Sequence, residues 1–137
     1  MEIASELSSQ IKYSLGFLVD EFGFYLREEQ LGLYYFESSS CQVLVSLEHS
    51  IIYASIGPVG KVRKELLQSG TRGGRVSIKI VSSCLDPAYT FEEIPWNAQM
   101  DILKELAIYA DLIKKYCHKM IKGDFSEWPM VQKCIKR

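Results

Sequence analysis

With four cysteines and two histidines among 137 residues, this chain has few groups for metal, redox or acid–base chemistry, and how they are spaced closes off classes of function. Cys41, Cys84, Cys117 and Cys134 stand far apart with no C-x-x-C pair, which excludes a zinc knuckle and a dithiol redox motif. They are expected as reduced, buried or half-buried thiols; a disulfide between two of them stays open, but a reducing compartment disfavours it. With His49 and His118 the only imidazoles, bases that work near neutral pH are in short supply. Cys117 and His118 are adjacent, yet neighbours on a helix point about 100° apart, so they do not form a nucleophile–base pair. No apolar run approaches the roughly 18 to 20 residues of a membrane span, and the longest, such as Leu31 to Phe36, are strand-sized. The N-terminal MEIASELSSQ carries Glu2 and Glu6 where a secretory signal needs positive charge and then a continuous apolar stretch, so a cytoplasmic location is expected.

What is present is an ordinary globular composition, 47% hydrophobic and 24% charged, enough for one α+β domain over residues 1–137. The net charge of −1 hides a segregation. Residues 1–60 hold two cations, Lys12 and Arg27, against eight acids, whereas residues 61–137 hold 14 cations against nine acids. Such asymmetry can steer a charged partner even when the total predicts none.

Ile3, Leu7, Ile11, Leu15, Leu18 and Phe22 recur at spacings of three and four, which predicts a helix over residues 3–21 closed by Gly23. Gly16 inside it lowers helix propensity by about 1 kcal/mol relative to alanine, so packing must hold the helix. Aromatic and β-branched runs follow and predict four antiparallel strands, Phe24 to Glu29, Leu31 to Glu37, Cys41 to Glu48 and Ile51 to Ile56, joined as a meander. Residues 57–74 read as a glycine-rich basic loop with a short helix at Val62 to Gln68. Arg75 to Val81 alternates as a fifth strand, with Arg75 and Lys79 on its wet side. A linker then leads to a long helix capped by Asn97, with Asp101 in its first turns. Leu103, Leu106, Ala110, Ile113, Cys117 and Met120 form its apolar stripe, and Gly123 stops it. A short C-terminal helix, capped by Asp124 or Ser126, presents Trp128, Val131 and Ile135 to the core. The predicted architecture is an N-terminal helix, a meander sheet of about five strands, and a long and a short helix packed on it.

The chemistry sought in this pattern is missing. Gly60 and Lys61 fail the P-loop spacing, and no G-x-G-x-x-G occurs. Glu28 with Glu29, and Glu92 with Glu93, are consecutive, so each pair diverges on an extended backbone instead of converging as acid and base. No residues stand at metal-ligand spacing. A protein that is not an enzyme, with no cofactor and no metal, is the expectation.

Two stretches, FLVDEFGFYL at residues 17–26 and LKELAIYADLIKKYCHKMIKGDFSEW at residues 103–128, resemble small bacterial immunity-type proteins, including those that protect cells from toxins of contact-dependent growth inhibition. The shared residues, Phe17, Asp20, Gly23 and Phe24, then Ala110, Tyr116, Gly123, Asp124, Phe125 and Trp128, read as core, caps and a tight turn, and no catalytic residue is carried over. The resemblance implies a cytoplasmic protein that neutralises a cognate toxin domain by direct association. Many toxin domains are cationic, and an acidic face with aromatic anchors suits such a partner. Glu28, Glu29, Glu37 and Glu48, with Tyr34 and Tyr53, are the expected partner-binding residues, and no membrane or nucleic acid enters the reading. The alternatives are a regulatory or adaptor domain for another protein, and a small nucleic-acid- or phosphate-binding protein using residues 60–75.

Overall fold

The computed structural model describes residues 2–30, 32–48, 51–90 and 101–135. Leu31, His49, Glu92, Glu93 and Asn97, named above, lie outside them, as does the side chain of Ile3.

The expected first helix is two helices. α1 (Glu2–Leu15) and α2 (Phe17–Asp20) meet at Gly16. A Cβ on Gly16 would lie 2.4 Å from the Lys12 carbonyl oxygen, so the chain tightens there only because the residue has no side chain. The predicted stripe survives the bend, with Leu7, Ile11, Leu15 and Leu18 all buried. Gly23 closes the unit with φ 71°, its amide bonded to the Val19 carbonyl.

The strands are β1 (Tyr25–Gln30), β2 (Leu33–Glu37), β3 (Cys41–Glu48) and β4 (Ile51–Pro58), followed by the helix α3 (Gly60–Gln68) and the two-residue β5 (Val76–Ser77). The sheet is antiparallel in the order β1-β2-β3-β4-β5, the meander that the sequence predicts. The fifth strand is the correction. Only Val76 and Ser77 pair with β4, and Ile78 opens the helix α4 (Ile78–Leu85). Ile78, Val81 and Ser82 are buried at helical spacing, and the Ser82 hydroxyl donates back to the Ile78 carbonyl at 2.8 Å. Alternation and helical spacing share Ile78, and the three-and-four pattern wins because this segment packs on other helices.

α5 (Ile102–Tyr116) packs on β4 and against α1 and α4. Its N-cap is Asp101, whose carboxylate accepts from the Lys104 amide at 3.2 Å. Leu103, placed in the apolar stripe by the sequence, is 43% exposed. The long helix also breaks at Cys117, after which come α6 (His118–Ile121), the stop at Gly123 and α7 (Trp128–Ile135). Trp128 and Val131 are buried as predicted, whereas Ile135 is exposed.

The four thiols divide. Cys41 and Cys117 are free and buried, but Cys84 of α4 is disulfide-bonded to Cys134 of α7. This corrects the expectation of reduced thiols throughout. Two helices that pack side by side bring positions 50 apart in the chain to a Cα separation of 5.8 Å, which spacing along the sequence does not reveal.

Candidate functional site: the open face of the sheet

The helices cover one face of the sheet. Tyr34, Phe36, Cys41, Val43, Val45, Ile52, Ala54 and Ile56 point into the core they form, and side-chain alternation then sends the intervening residues to the other face. Antiparallel register orders that face in rows. Tyr25, Glu37, Gln42 and Gly57 make one row, and Arg27, Tyr35, Leu44 and Ser55 the next. Leu33, Ser46 and Tyr53 form a third, and Glu48 stands beyond it at the hairpin end. Tyr25 and Tyr53 are 80% and 47% exposed.

A chain of polar contacts crosses this face. Arg27 donates from Nη1 to Glu29 Oε1 at 2.7 Å and from Nη2 to Glu37 Oε1, with its guanidinium 4.4 Å from the centroid of the Tyr35 ring. Gln42 Nε2 donates to the same Glu37 oxygen at 3.1 Å, and Arg75 Nη1 donates to Gln42 Oε1 at 2.6 Å. Arg75 reaches this position because a Cβ on Gly57 would lie only 3.0 Å from its Cα, so glycine lets the two backbones close up. The hydrogen bond from Arg27 holds the Glu37 carboxyl below the usual carboxylate range against the opposing effect of its burial. Glu37 in turn raises the Arg27 guanidinium further, so both ends of the pair stay charged.

The six residues expected to bind a partner separate. Register puts Glu37, Glu48 and Tyr53 on the open face, and Glu29, which sits in the irregularity between Glu28 and Gln30, joins them through its contact with Arg27. Tyr34 does not. It is 3% exposed in the core, and burial raises its hydroxyl pKa. Glu28 lies on the helix side of β1, accepting from Ser8 Oγ at 2.7 Å with Lys12 Nζ at 3.9 Å. Glu28 and Glu29 therefore point to opposite faces, the divergence that consecutive residues on a strand require. Two of the remaining carboxylates, Glu29 and Glu37, share the single charge of Arg27, so this face mixes both signs and is not a continuous acidic surface. Sequence reasoning missed Arg27 and Gln42. Their one signal was parity, which places Arg27 with Tyr25 and Glu29, and Gln42 with Leu44.

No protein-family model, curated protein or solved structure matches this chain.

The thiols and imidazoles offer no reactive pair among the described residues. Burial pushes the Cys117 thiol up to about 12 and raises that of Cys41 as well, which keeps both protonated. His118 is exposed on α6, edge-on to Phe22 at 6.3 Å. No group of three His, Cys, Asp or Glu among the described residues is placed to hold a metal ion. A cleft of about 310 Å³ between α3 and the segment before α7 is lined by Glu65, Asp124 and Ser126 with Val62, Leu66, Gly123 and Phe125; there the Ser126 amide donates to Asp124 Oδ1 at 2.9 Å, and hydrogen bonds from Ser126 hold that carboxyl below the usual carboxylate range.

The basic segment is partly occupied with its own structure. Arg63 Nε donates to the Gly73 carbonyl at 3.2 Å, Trp128 Nε1 donates to the Arg72 carbonyl at 2.8 Å, and Arg75 belongs to the open face. No helix among the described residues is long and apolar enough to cross a membrane.

Proposed function

We propose that this protein is a non-catalytic inhibitor that acts in the cytoplasm by binding another protein through the open face of its sheet, as an immunity protein neutralising a cognate toxin domain. The observation that carries the reading is the make-up of that face: exposed Tyr25 and Tyr53 beside an arginine already ordered by two carboxylates and stacked on Tyr35. Tyrosine and arginine supply most hot-spot energy at protein interfaces, and side chains fixed before binding lose less entropy when a partner arrives. Glu29, Glu37 and Glu48 bias the face toward a cationic partner, although Arg27 and Arg75 make the pattern mixed, which favours register and discrimination over bulk attraction.

Co-expression with a toxin domain encoded directly upstream tests the proposal. Expected are relief of growth arrest and a one-to-one complex on gel filtration. Continued arrest with no complex would overturn it. Tyr53→Ala with Glu48→Arg should weaken that complex at least about tenfold while leaving the circular dichroism spectrum unchanged; an unaltered affinity would remove the open face from the interface.

A further inference from the structure

β1 has one neighbour, β2, so among the described residues its other side is a free edge of the sheet. At the opposite edge β5 is only two residues long, pairing with Ser55 and Ile56 of β4, and beside it the Tyr109 hydroxyl donates to the Ile52 carbonyl of β4 at 3.3 Å. Directly beneath the β1 edge, a groove of about 300 Å³ runs between the α1–α2 bend and the covered side of the first two strands. Gly16, Val19, Leu26 and Phe36 give it an apolar floor, and Lys12 and Asp20 form its rim. Leu26 and Phe36 are direct partners across β1 and β2. A chain laid alongside β1 continues that row: its residue opposite Leu26 points to the same side of the sheet, into the groove, and its residue two positions away stands beside Glu28.

The charge around this edge is acidic. Asp20, Glu21, Glu28 and Glu29 are exposed there. Of the cations nearby, Arg27 is held by Glu29 and Glu37, Lys12 approaches Glu28 only to 3.9 Å, and Lys114 lies over the Phe17 ring of α2 at 4.6 Å. Asp20 makes no ion pair among the described residues. Natural edge strands are defended by charges and register irregularities, and β1 has both, with a shift in its pairing between Glu28 and Gln30. Carboxylates that repel indiscriminate pairing also select a strand of opposite charge.

We propose that the β1 edge is a strand-addition site for an extended segment of the partner protein, in which an apolar residue seated over Leu26 alternates with a lysine or arginine beside Glu28 and Asp20. Main-chain hydrogen bonds supply affinity, and the groove and its carboxylates supply the choice of side chain. The inference rests on the protein-binding reading above and deepens it, since Tyr25, Arg27 and Glu29 belong both to this edge and to the open face.

The probe is the labelled peptide Val-Thr-Lys-Thr-Val-Thr-Lys-Thr, whose valines and lysines fall on one side of a strand. Titrated with the full chain, it should bind saturably and slow amide exchange along Tyr25–Gln30. N-methylation at alternate peptide residues should weaken it at least about tenfold by removing main-chain donors. Replacing its lysines by glutamates should do the same, and Glu28→Lys in the protein should reverse that preference. Val19→Asp, at a wall position already 38% exposed, should weaken the peptide about tenfold without unfolding the chain, whereas Tyr53→Ala should leave it unchanged. No saturable binding, indifference to N-methylation, or a charge preference that Glu28→Lys does not move would overturn strand addition. Failure of the peptide while a toxin domain still binds and responds to Tyr53→Ala would sink this inference alone; failure of both would sink the reading beneath it.

Discussion

Lys79 and Glu105 meet at 2.8 Å between α4 and α5, with side chains only 13% and 11% exposed, and the lysine lies 5.2 Å from the centroid of the Tyr109 ring. As a residue of an alternating strand, Lys79 would have faced water; as the second residue of a helix packed on α5, it must find its counter-charge inside the protein. Withdrawing two charges from water largely cancels their attraction, but removing one partner strands the other. Lys79→Met or Glu105→Gln alone should therefore cost about 3 kcal/mol, and Lys79→Met with Glu105→Met should stay within about 1 kcal/mol of the parent. Urea midpoints at constant m-value decide the matter, and additive single effects would show that the pair is not coupled.

Among the elements, the strand β4 depends on a side chain from a helix. The Tyr109 hydroxyl of α5 donates to the Ile52 carbonyl and accepts from the Ala54 amide, so it takes the place of a neighbouring strand where the two-residue β5 does not reach. Burial raises the pKa of this phenol, with Glu105 adding to the effect, so it remains a hydroxyl that can donate. Tyr109→Phe should cost about 1 kcal/mol and speed hydrogen exchange at the Ala54 amide while exchange in β2 stays unchanged. The first four strands could be read from the sequence because one face is buried and the other open, the condition under which alternation is clean. α4 could not, since its Ile78 fits period two and period 3.6 alike. The contacts of the candidate site needed register: nothing in the order of residues says that Arg27 is flanked by Glu37, or that Gln42 lies within reach of Arg75, 33 positions away. Tyr34 was misjudged for the same reason, because parity had not been fixed for β2.

For the molecule as a whole, the Cys84–Cys134 disulfide joins α4 to the last helix across 50 residues. Closing a loop of that length in the unfolded chain contributes about 4 kcal/mol in the chain-entropy account. Cys84→Ser with Cys134→Ser, or reduction of the parent, should lower the free energy of unfolding by up to about that amount, and the two treatments should agree. Urea unfolding with and without reductant measures it, and coincident curves would show that the bridge adds nothing. The bridge also bears on where the protein works, since a reducing interior favours the dithiol. Alkylation of free thiols before cell lysis, followed by mass spectrometry, reads its state in place.

The shortness of β5, at the margin opposite β1, bears on assembly. A sheet with two receptive margins can pass pairing from molecule to molecule and build a filament; a sheet with one is a terminus. Among the described residues the margin opposite β1 is the two-residue β5, too short to receive a strand of the length that β1 can take, so growth from β1 should stop at a discrete complex, and high concentration alone should not drive the chain into fibres.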